Sequence, residues 1–481
     1  MGEELGITVS KEKIFSDWYL EVVRKGQFVD QRTPLKGFDV FMPWGYATWE
    51  RFVSIADTMF KEKLGVQNAY FPMLIPLSFF VREKEHLEGF NPDLLQITEA
   101  HGEQLGDPLI LRPTSETIIY SMFAQWIRSW RDLPMKVNQW VNMVRWETKM
   151  TKPLVRPREF LWHEGHTAHA DREDALKMVE AVEKVYTVLH EDVMALPCMK
   201  LLRTPLDTFP GAEFSIAFDV CMPDGKIIQG ATDHLLNDAF PRAFDIKYED
   251  KNNETRYVRT TSWGLSEREL GMVLMMHGDD KGAILPPNIA PVQVVIIPIL
   301  FKGSEKVVVK EAAKTKKKLE KLGIRTTVDD RDGYSAGFKF NEWELKGVPL
   351  RVEIGPRDVK EKQCVLVRRD TGEKIIITDV KKIRATLDEI QQALFHKAKT
   401  FAHTMITDAT TLADMQNILE AKGGFVRINW CESKNCEESV KEKTGGAEIR
   451  GSLYEKREDV FSHCIMCGKQ ATKVVYVAKA Y

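Results

Sequence analysis

Hydrophobic and polar residues repeat with two different periods in the first half of the chain. Tyr46–Gly65 has apolar residues at helical spacing, which predicts an amphipathic helix. Leu133–Glu147 alternates apolar and polar side chains, which predicts a strand with one buried face. Helices of this kind between short strands of unequal length favour an antiparallel sheet with helices packed on it.

A regular alternation of strands and helices follows the proline-containing segment Leu285–Pro291, which we interpret as a linker. Val292–Leu300 predicts a buried strand. Ser304–Gly323 predicts a helix that ends at its glycine, and Ala336–Gly347 predicts a second helix. Alternation of this kind is typical of a small α/β domain.

The length of 481 residues is too great for a single hydrophobic core. The linker and a cluster of cysteines near the end suggest where the chain divides. We predict three domains, at 1–284, 285–400 and 401–481. The expected fold is α+β and α/β multidomain: an antiparallel sheet with helices, then a small α/β domain, then a cysteine-containing α/β domain.

Charge and hydropathy indicate whether the chain binds nucleic acid or a membrane. The chain has 68 Lys and Arg residues against 70 Asp and Glu, so a nucleic-acid surface would have to be a local patch. Met1–Phe15 is acidic and polar, unlike a signal peptide. The longest apolar run, Val292–Phe301, is too short to span a membrane. We therefore expect a cytoplasmic protein with no membrane partner.

Seven cysteines are present, and four of them form two close pairs. An odd number of cysteines argues for a reducing compartment and against a disulfide framework. Cys431 and Cys436, followed by Cys464 and Cys467, have the spacing of a tetrahedral zinc site. Four protein ligands leave no open position, so the zinc would be structural. The alternative is four reduced, buried thiols.

The segment Val144–Phe160 concentrates charge and one aromatic ring. Residues i and i+2 of a strand share a face, so Arg145 and Glu147 should point the same way. If the chain turns back near Lys152, Arg156 comes level with them and the face could hold a nucleotide. A charged surface hairpin is the alternative.

A second chemistry is suggested by three histidines. His163, His166 and His169 recur at intervals of three, which leaves a zinc hydrolase open as an alternative. The metalloprotease spacing would need a histidine at Thr167. No G-x-x-x-x-G-K-[ST] motif occurs, so ordinary P-loop phosphate binding is excluded.

Six segments, in order, resemble one enzyme family. The stretch VRWETK…VRPREFLWHEGHTAHA closely resembles motif 2 of class II aminoacyl-tRNA synthetases, in the form typical of prolyl-tRNA synthetases. Leu64–Pro76 is similar to motif 1 and Ser262–Pro287 to motif 3. Leu111–Tyr120 is similar to the proline-recognition loop, Ile227–Leu236 to the second active-site strand, and Phe338–Asp358 to the anticodon-binding domain.

The resemblance implies a class II catalytic domain, an anticodon-binding domain and a zinc-containing C-terminal domain. It implies activation of L-proline by ATP with Mg²⁺, transfer of proline to the 3′ end of tRNA(Pro), and a homodimer formed through motif 1. Only 72 residues separate Arg156 from Gln229, too few for an editing domain, so misactivation of alanine or cysteine is expected. The C-terminal tail should pack back towards the catalytic domain.

The resemblance also implies residue roles. Arg145 would bridge the proline carboxylate and the α-phosphate, and Arg268 would hold the γ-phosphate. The remaining ATP contacts would be Glu147, Arg156, Phe160, Gln229 and Thr232, with Gln229 also reaching Mg²⁺. Besides Arg145, the proline pocket would consist of Thr114, Glu116, Trp162, His166, His234, Ser262 and Gly264. Anticodon contacts would come from Glu342, Arg351 and Arg357.

One further alternative is a catalytically silent relative that only binds tRNA or a protein partner. Such paralogues typically lose the arginines of motif 2 or motif 3. This chain keeps Arg145, Arg156 and Arg268, which favours an active enzyme.

Overall fold

The computed structural model describes residues 6–80, 94–147 and 150–481. The first part of the chain supplies most of the helices that surround a large sheet. These helices are α1 (Phe15–Lys25), α2 (Pro43–Met59), α3 (Glu116–Trp126), α4 (Arg172–Val188), α5 (Ala239–Ala243) and α6 (Arg268–His277). Short π-helical turns at Phe60–Leu64 and Leu189–Val193 extend α2 and α4, and Trp130–Asp132 is a 3-10 turn.

The same part of the chain contains fourteen of the described strands. They are β1 (Val29–Asp30), β2 (Val40–Phe41), β3 (Gln67–Asn68), β4 (Leu74–Pro76), β5 (Gln96–Ala100), β6 (Glu103–Leu111), β7 (Met135–Val144), β8 (Glu159–His169), β9 (Met199–Leu202), β10 (Ala212–Cys221), β11 (Ile227–Leu236), β12 (Lys247–Glu249), β13 (Thr255–Tyr257) and β14 (Arg259–Ser266).

A separate five-stranded sheet follows, in the order β16-β15-β17-β18-β19. Its inner strands are buried on both faces, because helices cover them, and this explains the continuous apolar run at Val294–Pro298. The strands are β15 (Val294–Pro298), β16 (Thr326–Val328), β17 (Leu350–Ile354), β18 (Cys364–Arg368) and β19 (Lys374–Ile377). The helices are α7 (Glu305–Lys321), α8 (Ala336–Leu345), α9 (Pro356–Glu361) and α10 (Lys382–Thr404).

The last part of the chain adds two helices and four strands. These are α11 (Leu412–Ala421), α12 (Lys434–Lys443), β20 (Ile406–Asp408), β21 (Phe425–Trp430), β22 (Glu448–Leu453) and β23 (Lys473–Ala478). Together with seven earlier strands they form one eleven-stranded sheet, in the order β20-β21-β23-β22-β9-β10-β11-β14-β8-β7-β3. The pairing of Ser452 with Leu202 joins the two regions into this sheet.

The expected helices and strands are present with small changes at their ends. The helix predicted over Tyr46–Gly65 begins at Pro43, a residue favoured in the first turn, and its π turn ends at Gly65, whose φ of 67° suits glycine. The strand predicted over Leu133–Glu147 ends at Val144. Arg145 and Glu147 therefore lie just beyond the strand, in the hairpin connection, and not on one strand face.

Helix α4 packs against one face of the large sheet, and the candidate active-site residues lie on the opposite face. Its Val179, Val182 and Tyr186 are fully buried in the core. Trp263 on β14 fills the space over Gly165, where an added Cβ would lie 2.2 Å from the indole ring. A glycine is therefore needed at position 165, where the Trp263 ring packs closely on the central strands.

The structure also bears on membrane spans, disulfides and domain boundaries. In the described part of the chain, no helix is both long and apolar enough to cross a membrane. All seven cysteines are free thiols. The two boundaries between the three predicted domains stay a prediction, although the strand order shows that the first and third regions share a sheet.

Candidate active site

The hairpin between β7 and β8 brings the motif 2 residues together. Leu154 has a φ of 61° at the turn, and Lys152 and Arg156 face each other across it. Arg145 N–H donates to the Arg158 carbonyl oxygen at 2.8 Å, which sets the register of the two arms. Arg156 Nη1 lies 3.4 Å from a Glu147 carboxylate oxygen. The predicted acid and cations therefore share one hairpin.

Arg145 is held by its Nε and by aromatic rings. Its Nε donates to the Pro113 carbonyl oxygen at 3.0 Å. Its guanidinium carbon lies 5.4 Å from the ring centroids of both Phe160 and Trp162. Among the described residues, neither of its Nη groups has a hydrogen-bond partner. Two donors in a fixed plane are thus left for anionic oxygens.

A row of polar side chains crosses three strands on the open face of the sheet. Ser262 pairs with His166 on β8 and with His234 on β11. The Ser262 hydroxyl is buried and has no partner among the described residues. His234 Nδ1 lies 2.7 Å from the Ser215 hydroxyl, and burial lowers the pKa of His234 to about 3, so this ring is neutral.

The next row lies one step closer to Arg145. Gly264 pairs with Thr232 on β11 and with Glu164 on β8. A Cβ at Gly264 would lie 3.8 Å from the Trp162 ring. A larger side chain would therefore fill the space in front of the indole, so glycine keeps this part of the pocket open.

Glu164 is a site residue that the sequence analysis missed. Its carboxylate accepts hydrogen bonds from Gln139 Nε2 at 2.6 Å and from the Ser115 backbone N–H at 3.2 Å, and it lies 3.1 Å from His166 Nε2. These contacts lower the pKa of Glu164 although burial opposes the change. The strand alternation that aligns Trp162 with His166 could have identified it.

The loop before α3 places the other predicted acid in the same pocket. Glu116 is buried and accepts a hydrogen bond from the Thr114 hydroxyl. Burial raises the pKa of the Glu116 carboxyl. Burial lowers the pKa of His166, but its contacts with Glu164 and Glu116 more than offset this and raise it. The pocket therefore contains a carboxyl and an imidazole that both hold their protons more tightly than they would in water.

Arg268 begins α6 and connects motif 3 to the other arginines. Its Nε donates to the Val155 carbonyl oxygen at 2.9 Å, and its Nη1 donates to the Gln229 carbonyl oxygen at 3.0 Å. Burial, followed by the positive charges of Arg156 and Arg145, lowers the pKa of Arg268 to about 10. Three guanidinium groups in one enclosed space attract a polyanion, because such a ligand relieves their mutual repulsion.

The C-terminal segment also reaches this site. Arg156 Nη2 donates to the Tyr481 backbone oxygen at 2.6 Å. The Tyr481 hydroxyl donates to Asp224 at 2.5 Å, and Lys152 Nζ lies 4.5 Å from the Tyr481 ring centroid. The tail is anchored by a 2.9 Å hydrogen bond from Ile227 N–H to the Lys479 carbonyl oxygen.

The three histidines of the hydrolase alternative are not arranged for a metal. They lie on strand β8, where His163 and His169 share one face and His166 faces the other way. His163 Nε2 contacts the Tyr186 hydroxyl at 2.8 Å, and His169 Nδ1 contacts Asp174 at 2.6 Å. The zinc hydrolase interpretation is therefore wrong.

The four clustered cysteines do converge. Their sulfur atoms all lie within 4.8 Å of one another. The Sγ atom of Cys431 is 3.7 Å from those of Cys436 and Cys467. With Zn–S bonds of about 2.3 Å, a tetrahedral site requires sulfur separations of about 3.8 Å. The donor set and its spacing therefore fit Zn²⁺.

The predicted anticodon residues lie on three different elements and each has its own ion partner. Glu342 on α8 pairs with Arg331 and Lys346. Arg351 on β17 is buried and pairs with acidic neighbours. Arg357 on α9 is exposed and pairs with an acid one turn later. The acidic partners of Arg351 are Glu344 and Glu353, and that of Arg357 is Glu361.

Comparison with known proteins agrees with this organisation. Three family models match: "tRNA synthetase class II core domain (G, H, P, S and T)" over residues 98–277, "Anticodon binding domain" over 293–392, and "Prolyl-tRNA synthetase, C-terminal" over 412–481. The proline–tRNA ligase of Symbiobacterium thermophilum is 47% identical, with 97% of this chain and 96% of the relative covered. That of Haloarcula marismortui is 42% identical, with 100% and 99% covered.

A solved structure is similar over the whole chain. The crystal structure of prolyl-tRNA synthetase from Cryptosporidium parvum, complexed with halofuginone and AMPPNP, has a TM-score of 0.93 and 39% sequence identity. The match covers 99% of this chain and 100% of that one. The similarity therefore extends over all three regions that the family models match.

Proposed function

Because the chain belongs to the prolyl-tRNA synthetases, class II ligases that activate L-proline with ATP and transfer it to tRNA(Pro), we propose how its residues divide this work. The observation that carries the assignment is the position of Arg145 beside two aromatic rings and the Glu164–His166 pocket. No described residue accepts a hydrogen bond from either of its Nη groups. Proline-dependent ATP–pyrophosphate exchange by the purified protein tests the assignment.

Arg145 acts where negative charge builds up. The proline carboxylate is ionised at neutral pH, so its attack on the α-phosphate needs no general base. Two anions must instead be brought into line and their repulsion offset. The two Nη groups of Arg145 would each bind one of these anions, since a guanidinium offers paired donors and stays charged.

The other two arginines hold the triphosphate. Arg268 binds the γ-phosphate and Arg156 a neighbouring phosphate, while Glu147 orients Arg156 and contacts the adenine end. Phe160 presents a ring on which adenine can stack. The AMPPNP present in the Cryptosporidium parvum structure is an ATP analogue, which supports an ATP site in this chain.

Gln229 and Thr232 lie on β11 next to this site and are proposed to contact ATP and Mg²⁺. Mg²⁺ neutralises phosphate charge when it is bound, and in nucleotide sites it is held largely by the phosphates and water. Gln229 Oε1 already accepts a hydrogen bond from Arg203, so it keeps only part of its capacity for the metal. Its role towards Mg²⁺ is therefore a supporting one.

The proline pocket combines acceptors with flat walls. The secondary ammonium of proline has two N–H donors, for which Thr114, Glu116 and Glu164 offer oxygens. Trp162 provides a flat apolar wall for the ring, and the floor is the row of His166, Ser262 and His234. Gly264 leaves this space open.

We expect the pocket to admit smaller amino acids. The missing methylenes of alanine or cysteine are worth about 1–3 kcal/mol of discrimination. The chain between Arg156 and Gln229 folds into β8, α4, β9 and β10, which belong to the catalytic layer and leave no inserted editing domain. Exchange assays with each amino acid should give a proline-to-alanine selectivity below about 10⁵. Leucine, which is too large, serves as the control, and a higher selectivity for proline over alanine would contradict the prediction.

Zinc is proposed at Cys431, Cys436, Cys464 and Cys467, where it would link the start of α12 and the loop before it to the loop before β23. Replacing Cys464 by serine is expected to remove the bound zinc and to lower the unfolding temperature by several degrees, because metal binding contributes to folding. Metal analysis and thermal unfolding measure both effects. Cys198→Ser is the control and should keep its zinc. Full zinc content in Cys464→Ser would contradict the site.

Motif 1 supports a homodimer. Tyr70 is 75% exposed, and Met73 and Leu74 are also exposed on the same short segment. Exposed apolar side chains in one place are typical of a protein interface. We propose that this surface joins two copies of the chain.

The tRNA contacts are proposed for the second region. Its family match is an anticodon-binding domain, and Glu342, Arg351 and Arg357 are proposed to read the guanines of a proline anticodon. Arg357 is the most accessible of the three. A reducing, cytoplasmic location is also proposed, since the cysteines that would bind zinc have to remain reduced.

A further inference from the structure

Two arginines from distant parts of the chain grip one buried carboxylate beside the ATP site. Asp219 on β10 is fully buried. It accepts hydrogen bonds from Arg203 at 3.0 and 3.2 Å, and from Arg450 at 2.8 and 3.2 Å. Arg203 also donates to the Arg450 carbonyl oxygen at 2.6 Å. The three side chains therefore form one closed unit.

The cluster of Arg203, Asp219 and Arg450 contacts the side chain of Gln229. Asp219 and Gln229 face each other across the β10–β11 pair. Arg203 Nη2 donates to Gln229 Oε1, while Arg268 of motif 3 donates to the Gln229 backbone oxygen. Because a guanidinium only donates, Arg203 fixes the oxygen end of the carboxamide and leaves the NH₂ end for a phosphate oxygen.

The backbone conformation of β22 directs the Arg450 side chain towards Asp219. The pairing of β22 with β23 skips one residue between Ile449 and Gly451, so Arg450 is the extra residue of a β-bulge. Gly451 has a φ of 126°, and a Cβ there would lie 2.2 Å from the Leu202 carbonyl oxygen. The bulge and the glycine bring β22 against β9 and turn Arg450 inward.

We propose that Arg450 is a positioning residue for ATP binding, which acts through Asp219 and Arg203 on the side chain of Gln229. The proposal rests on the proposed contact between Gln229 and ATP. It makes ATP affinity depend on a residue of the zinc-containing region, which touches neither substrate.

The physical effect follows from the shared carboxylate. With the Arg450 side chain removed, Asp219 retains one of its two cationic partners, so its carboxylate can turn and no longer fixes the plane of the Arg203 guanidinium. Arg203 can then tilt towards Asp207, which already lies 3.3 Å from its Nε. The Gln229 carboxamide loses its fixed orientation, and the ATP contact weakens while the proline pocket is unaffected.

The test is a double-mutant cycle in the full-length, zinc-loaded protein. Arg450→Met is expected to raise KM for ATP about five- to tenfold in the exchange assay and to leave KM for proline unchanged. Arg450→Lys, which keeps the charge, should be intermediate. Arg427→Met, which replaces an arginine of strand β21 in the same sheet that pairs with Asp408 and Glu458, is the matched control and should change neither KM.

Coupling to Gln229 separates positioning from a merely structural role. In a Gln229→Ala background, Arg450→Met should add no further increase in KM for ATP. An equal rise of both KM values, or effects of the two substitutions that multiply, would overturn the proposal. If Gln229→Ala raises KM for ATP but Arg450→Met and Arg450→Lys do not, the inference fails and the proposed role of Gln229 stands. If Gln229→Ala has no effect, both fail.

Discussion

Replacing Arg145 by alanine is expected to lower proline-dependent ATP–pyrophosphate exchange by about 10³-fold or more. Loss of one preorganised donor at a developing charge already costs about 10²–10³ in rate, and Arg145 would serve two anions at once. The substitution also removes the cation that stacks between Phe160 and Trp162. Exchange measured at saturating ATP and proline, without tRNA, separates this loss from any effect on tRNA binding.

Two variants make the result for Arg145 specific. Arg145→Lys keeps the charge but cannot present paired donors, so most of the loss should remain. Arg172→Ala removes an exposed arginine that pairs with Glu213 and should leave exchange unchanged. Substantial exchange in a folded Arg145→Ala protein would show that the carboxylate and the α-phosphate are joined by other groups.

Removing Tyr481 is expected to reduce exchange by about 10- to 100-fold, mainly through a higher KM for ATP. The backbone oxygen of Tyr481 is the acceptor for Arg156 Nη2, and hydrogen bonds to charged groups are worth about 1.5–3 kcal/mol. Without it, Arg156 loses the contact that fixes its guanidinium against Glu147. The Tyr481 ring also lies against two cations, Lys152 and Lys226, which would become free to move.

Tyr481→Phe isolates the part played by the hydroxyl. This variant loses the bond to Asp224 but keeps the ring and the backbone oxygen. Its KM for ATP should therefore be closer to that of the unaltered protein than to that of the truncated chain. If the truncated chain keeps its KM for ATP, the contact between Arg156 and Tyr481 has no part in nucleotide binding.

Local sequence patterns predicted the helices and strands well, because burying one face of a helix or strand makes apolar residues recur at a fixed spacing. Alternation identified the strand that ends at Val144, and helical spacing identified α2. The same alternation places Trp162 and His166 on one face of β8, although Glu164 between them was missed. Its role depends on Gln139 and Ser115, which come from other elements, and periodicity alone does not reveal such partners.

Contacts between distant segments could not be predicted from pattern. Arg203, Asp219 and Arg450 are ordinary charged residues in the sequence, and only the pairing of β22 with β9 brings them together. The proximity of Tyr481 to Arg156 depends on hydrogen bonds between the tail and Ile227, which lies on β11. The resemblance to prolyl-tRNA synthetases supplied residue roles that composition and spacing left open, such as that of Gln229.

The pairing of Ser452 with Leu202 has a consequence for synthesis of the chain on the ribosome. About 250 residues separate the two partners in sequence. At about 5–20 residues per second, the edge of β9 waits on the order of 10 to 50 seconds before β22 has been made. During that interval the edge presents free N–H and C=O groups to neighbouring nascent chains. A chaperone that shields an open strand edge would therefore act on this protein during translation, before its C-terminal region is complete.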